Sequence, residues 1–251
     1  MTMDNMTSFT KNYKGQKTLT TLKRRILVDG FHIVIDLKKS KGAYVYNELD
    51  NKTYLDCYSF FATLPIGFNH PGLKNKAYQK ALQETSQVKI ALSDVYSEYY
   101  ARFVDVFDTL ALRKQFRHLF FVEGGSLGVE NALKAAFDWK TRLNLKRGEE
   151  IEANQIIHFR QCFHGRSGYT LSLTDSFDWR KTKYFPKFPW PRILNPKINI
   201  YEEELYPVTV EERENVAVAQ ITAHLKQFGQ QTAAIIIEPV QSEGGDNHFR
   251  P

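Results

Sequence analysis

With 251 residues, 42% of them apolar and 25% charged, the chain has the composition of an ordinary globular protein of one large or two small domains. No run approaches the ~20 apolar residues of a membrane span. The formal charge of +6 comes from cations scattered along the chain, which suits anionic small molecules and lacks the motifs of a nucleic-acid binder. Cys57 and Cys162 stand far apart, giving neither a disulfide framework nor a metal-ligand spacing; no metal site and a reducing, cytoplasmic setting are expected.

The first ~20 residues are polar and lack the apolar core of a signal peptide, so a frayed N-terminus is expected. Residues 26–61 read as short strands, Ile33-Val34-Ile35, Ala43 to Tyr46 and Thr53-Tyr54-Leu55, parted by turn-forming segments. Such a meander is too small to be a self-sufficient domain. Ser59 to Pro71 is an aromatic, irregular stretch that suits a pocket lining or a core equally. Two helices follow, Leu73 to Gln87 and Ser97 to Leu112. The second carries Tyr99, Phe103, Val106, Phe107 and Leu110 as an expected core stripe.

Phe120-Phe121-Val122 read as the end of a buried strand, broken by Gly124-Gly125-Ser126. Beyond it, Val129, Ala132, Leu133, Ala136 and Phe137 share one helical face, and Glu130 and Lys134 are spaced for a surface pair. Strand, glycine turn and helix together offer free N–H groups at a positive helix end, where a phosphate binds well, and the Ser126 hydroxyl adds a donor.

A polar, basic stretch spans Thr141 to Asn154, and a strand is expected at Gln155–Phe159. Residues 175–200, rich in Pro, Trp, Phe and Lys, read as a long ordered loop, a type that is usually functional. A helix from Val210 to Gln227 leads to a last strand, Ala233–Ile237. Strands alternating with helices imply a mainly parallel sheet covered on both faces, with ligands at the carboxyl ends of the strands. Three polar loops, Glu123–Ser126, Phe163–Arg166 and Glu238–Gly245, would then meet in one crevice. Phe163 offers a ring face for stacking, and Arg166 is either a clamp for a carboxylate or a surface ion-pair partner.

The stretches FVEGGSLGVENALKAAFDWK, FHGRSGYTLSLT and AIIIEPVQSEGGDNHFRP resemble the large domain of class III pyridoxal-phosphate aminotransferases. DGFHIVIDLKKSKGAYVY, YLDCYSFFATLPIGFNHP and FPKFPWPRI are most similar to its lysine 6-aminotransferase branch. The resemblance implies an α/β fold of type I, with 1–70 as the N-terminal segment of a small α+β domain and 71–251 as an incomplete cofactor-binding large domain. It also implies that Gly125 and Ser126 hold the phosphate of pyridoxal phosphate and that Phe163 stacks on its ring. Arg166 would bind the carboxylate of the amino donor, Glu243 would act as a switch that masks or releases an arginine, and Glu238 would be a supporting carboxylate. The implied reaction is ping-pong: L-lysine gives up its ε-amino group and leaves as an aldehyde that can cyclise, and 2-oxoglutarate becomes glutamate. Ornithine or 4-aminobutyrate as the donor, or a non-catalytic remnant that binds a phosphate ligand, are the alternatives. A homodimer is implied by the family alone.

In the family, the Schiff-base lysine and the acid at the pyridine nitrogen follow the EP-x-Q-x-E motif. Here no lysine follows Lys226. The chain therefore reads as the N-terminal portion of an aminotransferase, inactive by itself and poorly stable, with no catalytic lysine of its own.

Overall fold

A computed structural model describes residues 13–90, 94–198 and 209–250. They form two compact units, one ending at Phe116 and one beginning at Arg117.

In the first unit, helix α1 (Gln16–Leu22) begins inside the region expected to fray. Leu19 is buried, and the Gly15 N–H donates to Glu48 Oε2 at 3.0 Å. Residues 1–12 lie outside the described part. Strands β1 (Tyr44–Asn47) and β2 (Lys52–Leu55) form an antiparallel hairpin. The third expected strand is reduced to a bridge between Ile35 and Asn47. The Asn47 side chain explains the reduction: its Oδ1 takes the Val34 N–H at 2.9 Å, in place of a regular ladder. Ser59, Phe60, Phe61 and Ala62 all have positive φ, a left-handed turn that bulky side chains seldom adopt.

Pro71–Lys74 forms a 3₁₀ turn that leads into α2 (Lys76–Thr85), capped by Asn75. Helix α3 (Glu98–Val106) is capped by Ser97 and extended by a wider turn over Phe107–Ala111. Its apolar stripe is not a core: Leu110 is 74% exposed, and Tyr99, Phe103 and Val106 are exposed too. Amphipathic spacing fixes which residues share a face, but a core also needs a second surface to cover it.

The second unit is built on a parallel sheet. Helix α4 (Gly125–Lys146) runs two turns further than the apolar pattern implies. Asn144 fixes that end, its amide donating to the carbonyls of Ile151 and Gln230 at 3.0 and 2.8 Å. Strand β3 (Gln155–Phe159) falls where the sequence places it. It is followed by α5 (Gly168–Leu173), β4 (Arg192–Ile193), α6 (Val210–Phe228) and β5 (Thr232–Ile235). The sheet order is β4-β3-β5, parallel throughout. The short hairpin β6 (Val240–Gln241) and β7 (Asn247–His248) follows β5.

Ile156 and Ile157 are both fully buried, because successive strand residues point to opposite faces. Ile156 packs with Leu133 of α4, Leu173 of α5 and Trp190. Ile157 and Phe159 pack with Ile193 of β4 and Ala217 of α6. Burial on both faces leaves β3 without an in–out alternation: Ile156, Ile157, Phe159 and the polar His158 are all buried.

Two expectations fail here. Phe120-Phe121-Val122 is irregular rather than a buried strand, and Phe120 is 76% exposed. Both edges of β3 are already taken by β4 and β5, so this run gains no ladder on the central strand. The segment 175–198 is not wholly loop: it contains a 3₁₀ turn, Trp179–Lys181, and β4. A two-residue strand leaves no periodicity to read. Residues 199 and 200 of that segment lie outside the described part.

Candidate active site

The three loops singled out in the sequence come together at the carboxyl ends of the sheet. The first is the turn into α4. Gly124 is its N-cap, has no side chain to offer, and adopts φ +87°. The first intrahelical bond runs from the Gly128 N–H to the Gly124 carbonyl, which leaves the N–H groups of Gly125, Ser126 and Leu127 without a helical acceptor. Apart from its chain neighbours and the backbone of its own helix, no heavy atom of the described residues lies within 4 Å of where a Cβ on Gly125 would stand. An open approach to free amides at a positive helix end fits a phosphate.

The Ser126 hydroxyl turns to the second loop. Its Oγ lies 2.6 Å from Ser167 Oγ and 2.9 Å from Thr170 Oγ1. Ser167 Oγ donates to Glu130 Oε1 at 2.8 Å, which also takes the Thr170 N–H at 3.1 Å. With the Ser167 proton committed to Glu130, the Ser126 hydroxyl is engaged by Ser167 and Thr170, and the Ser126 N–H is left as its donor at the helix end. Glu130 is therefore not half of a surface pair with Lys134. It is 8% exposed, drawn inward by a hydroxyl, an N–H and the start of α5. The two loops touch so closely that a Cβ on Gly165 would stand 2.3 Å from Ser126 Oγ.

The second and third loops meet through Phe163, whose N–H donates to Glu238 Oε2 at 2.9 Å. Burial raises the pKa of Glu238; the Phe163 N–H opposes this, and Glu243 adds to it. Glu243 Oε1 accepts from Ser176 Oγ at 2.5 Å and from Lys181 Nζ at 2.8 Å. Its Oε2 is buried with no partner among the described residues. Lys181 Nζ also stands 5.8 Å from the centroid of the Phe163 ring. Arg166 is exposed and makes no hydrogen bond or ion pair with any described residue.

Beneath the loops is an amide network. Gln241 is fully buried, and its Nε2 donates to the Arg160 carbonyl at 3.0 Å. Its Oε1 accepts from Asn195 and Asn247 at 2.5 and 3.0 Å. The glutamine of EP-x-Q-x-E thus pins the third loop to the end of β3. His158 and Cys162 are buried alongside. Burial, with Arg192 nearby, pulls His158 down to about 4 and burial pulls His164 down to about 4, while burial and then Glu238 push the Cys162 thiol up to about 12.

Residues 27–251 match the family model for class-III aminotransferases. The chain belongs to that family. Over 232 residues the chain is 43% identical to the L-lysine-epsilon aminotransferase of Mycobacterium tuberculosis, covering 92% of this chain and 51% of that protein. It is 40% identical to that of Streptomyces clavuligerus, covering 95% and 52%. The solved lysine aminotransferase from M. tuberculosis superposes with a TM-score of 0.87 at 42% identity, over 95% of this chain and 54% of that one. The fold is that of pyridoxal-phosphate-dependent aminotransferases, with their parallel sheet. The chain spans about half the length of the curated relatives it matches.

Sequence reasoning missed Glu130, Ser167, Thr170, Ser176 and Lys181. Only Ser167 and Thr170 left a signal, as polar residues at the start of a helix.

Proposed function

We propose that this chain is the cofactor-binding portion of an aminotransferase that takes the ε-amino group of L-lysine and passes it to 2-oxoglutarate. The carrying observation is Arg166. It stands exposed and unpaired among the described residues, three positions after Phe163 and on the loop that meets the α4 N-terminus. A guanidinium so placed suits a bidentate grip on a donor carboxylate. Gripped there, lysine would present its distant amine to the cofactor; the aldehyde left behind can cyclise.

The free amides of Gly125 and Ser126 would hold the phosphate of pyridoxal phosphate, and the Phe163 ring would stack on its pyridine. The cofactor supplies the electron sink that side chains lack. Glu238 would support the loop through the Phe163 N–H. Glu243, held by Ser176 and Lys181, would be the switch carboxylate whose release admits the 2-oxo acid. In the family the lysine that carries the cofactor follows the EP-x-Q-x-E motif, and this sequence holds no lysine after Lys226, so we assign that lysine to a position outside this chain. We assign 1–70 to the small domain and 71–251 to the large one, in a cytoplasmic homodimer.

The test compares lysine, ornithine and 4-aminobutyrate as donors with 2-oxoglutarate, using the intact gene product. Lysine is expected to give the highest kcat/KM, and Arg166→Gln to lower that value by about 10²-fold or more, as loss of a charged, bidentate contact implies. Preference for either other donor would overturn the lysine assignment. The 251-residue chain with added cofactor is expected to form no glutamate.

A further inference from the structure

Cys162, His164 and Glu238 each offer one ligand atom, and these atoms all lie within 4.8 Å of one another. Cys162 and His164 sit on the loop after β3, separated by Phe163 alone, and Glu238 follows β5, the neighbouring strand. Adjacent parallel strands thus bring to one point a set that sequence spacing does not display.

The cluster is held before anything binds. Glu238 Oε2 takes the Phe163 N–H at 2.9 Å, leaving its other oxygen for a ligand. The His164 N–H donates to Thr174 Oγ1 at 3.1 Å, and Thr174 Oγ1 in turn donates to the Gly165 carbonyl at 2.7 Å. Cys162 is buried; its S–H donates to the Leu173 carbonyl at 3.0 Å, and His158 Nδ1 lies 3.7 Å from its sulfur.

Two observations point to a cation. His164 is only 9% exposed, and its Nε2 is buried with no hydrogen-bond partner among the described residues. An orphaned polar atom of that kind is costly unless something satisfies it. The charges nearby also cancel in pairs: Lys181 with Glu243 at 2.8 Å and Arg192 with Asp175 at 3.1 Å. Among the described residues Glu238 forms no ion pair.

We propose that Cys162, His164 and Glu238 form a binding site for one zinc-like divalent cation, with a fourth coordination position open. Thiolate and imidazole favour a borderline-soft metal over magnesium or calcium. Coordination exchanges the S–H proton for the metal, so one proton leaves to solvent and the imidazole binds in its neutral form. Phe163 lies between two of the ligands, so an ion here would fix the loop that carries its ring. The proposal stands independently of the aminotransferase reading.

The test titrates cobalt(II) alone into the untagged intact gene product at low micromolar concentration. It uses a Cys57→Ser background under a non-thiol reductant, with Cys162→Ser in the same background as the comparison. The expected result is saturable binding of one equivalent, with a near-ultraviolet thiolate-to-cobalt band and tetrahedral visible bands, all displaced by zinc. Cys162→Ser should abolish the thiolate band. His164→Gln and Glu238→Gln should retain it but weaken affinity by about tenfold or more. These two variants keep the thiol, and unchanged far-UV circular dichroism separates lost binding from lost folding. Absence of a saturable thiolate band, its survival in Cys162→Ser, or unchanged affinity in both other variants would overturn the site.

Discussion

Replacing Glu130 with alanine removes the acceptor of the Ser167 hydroxyl and of the Thr170 N–H, both within the contact between α4 and α5. A buried donor left without an acceptor costs about 1–3 kcal/mol. The urea midpoint of Glu130→Ala should fall accordingly, and that of Glu130→Gln should fall less, because its amide oxygen can still accept. Equal midpoints for Ala and wild type would mean that the carboxylate holds nothing. The same residue bears on function, because its hydroxyl chain ends at Ser126, beside the amides proposed to hold phosphate. Ser126→Ala should therefore weaken pyridoxal phosphate binding only a few-fold, since the backbone N–H survives. A loss of about a hundredfold in equilibrium dialysis, near 2.7 kcal/mol, would return the main role to the hydroxyl.

Helix α6 begins with a capping box. The Glu212 N–H donates to Thr209 Oγ1 at 3.2 Å, and the Thr209 N–H donates to Glu212 Oε2 at 2.7 Å. Thr209→Ala is expected to destabilise the chain by about 1 kcal/mol, seen as a lower thermal midpoint with α6 the first helix to lose amide protection. A sharper break is expected where two loops pack. Gly165 has φ +124°, and a Cβ there would stand 2.3 Å from Ser126 Oγ and 2.8 Å from Thr170 Oγ1. Gly165→Ala should force the loops apart and lower both stability and cofactor affinity by more than Ser126→Ala does. Comparable affinities in the two variants would show that the close approach is not needed for the cradle.

For the second unit as a whole, the exposed element is β5. It lies at the end of the sheet order, and its Ile235 is 48% exposed while Ala234 and Ile236 pack inward. An apolar strand at a sheet edge is a template for pairing with another chain. The 251-residue chain is expected to self-associate with rising concentration in light scattering, and Ile235→Lys to reduce that association while leaving far-UV circular dichroism unchanged. Association of equal strength in the variant would locate the contact elsewhere, for example on the exposed face of α3.

What the sequence determined by itself is the local and repetitive part. A short run holding the β-branched Ile156 and Ile157 placed β3 at Gln155–Phe159, and helical patterns placed the start of α4 and nearly all of α6. Ordered motifs carried the family and the loops that meet at the sheet. These signals work because they depend on neighbours a few positions away. Tertiary structure decided what depends on a partner far along the chain. Glu130 turned inward because Ser167 and Thr170 stand over it, although its spacing to Lys134 suits a surface pair. The α3 stripe stayed exposed and Phe120-Phe121-Val122 gained no ladder, since apolarity names a preference and not the surface that satisfies it. Lys181 reached Glu243 across sixty-two positions, and Cys162, His164 and Glu238 converged only because β3 and β5 are neighbours. No pattern within one segment encodes such meetings.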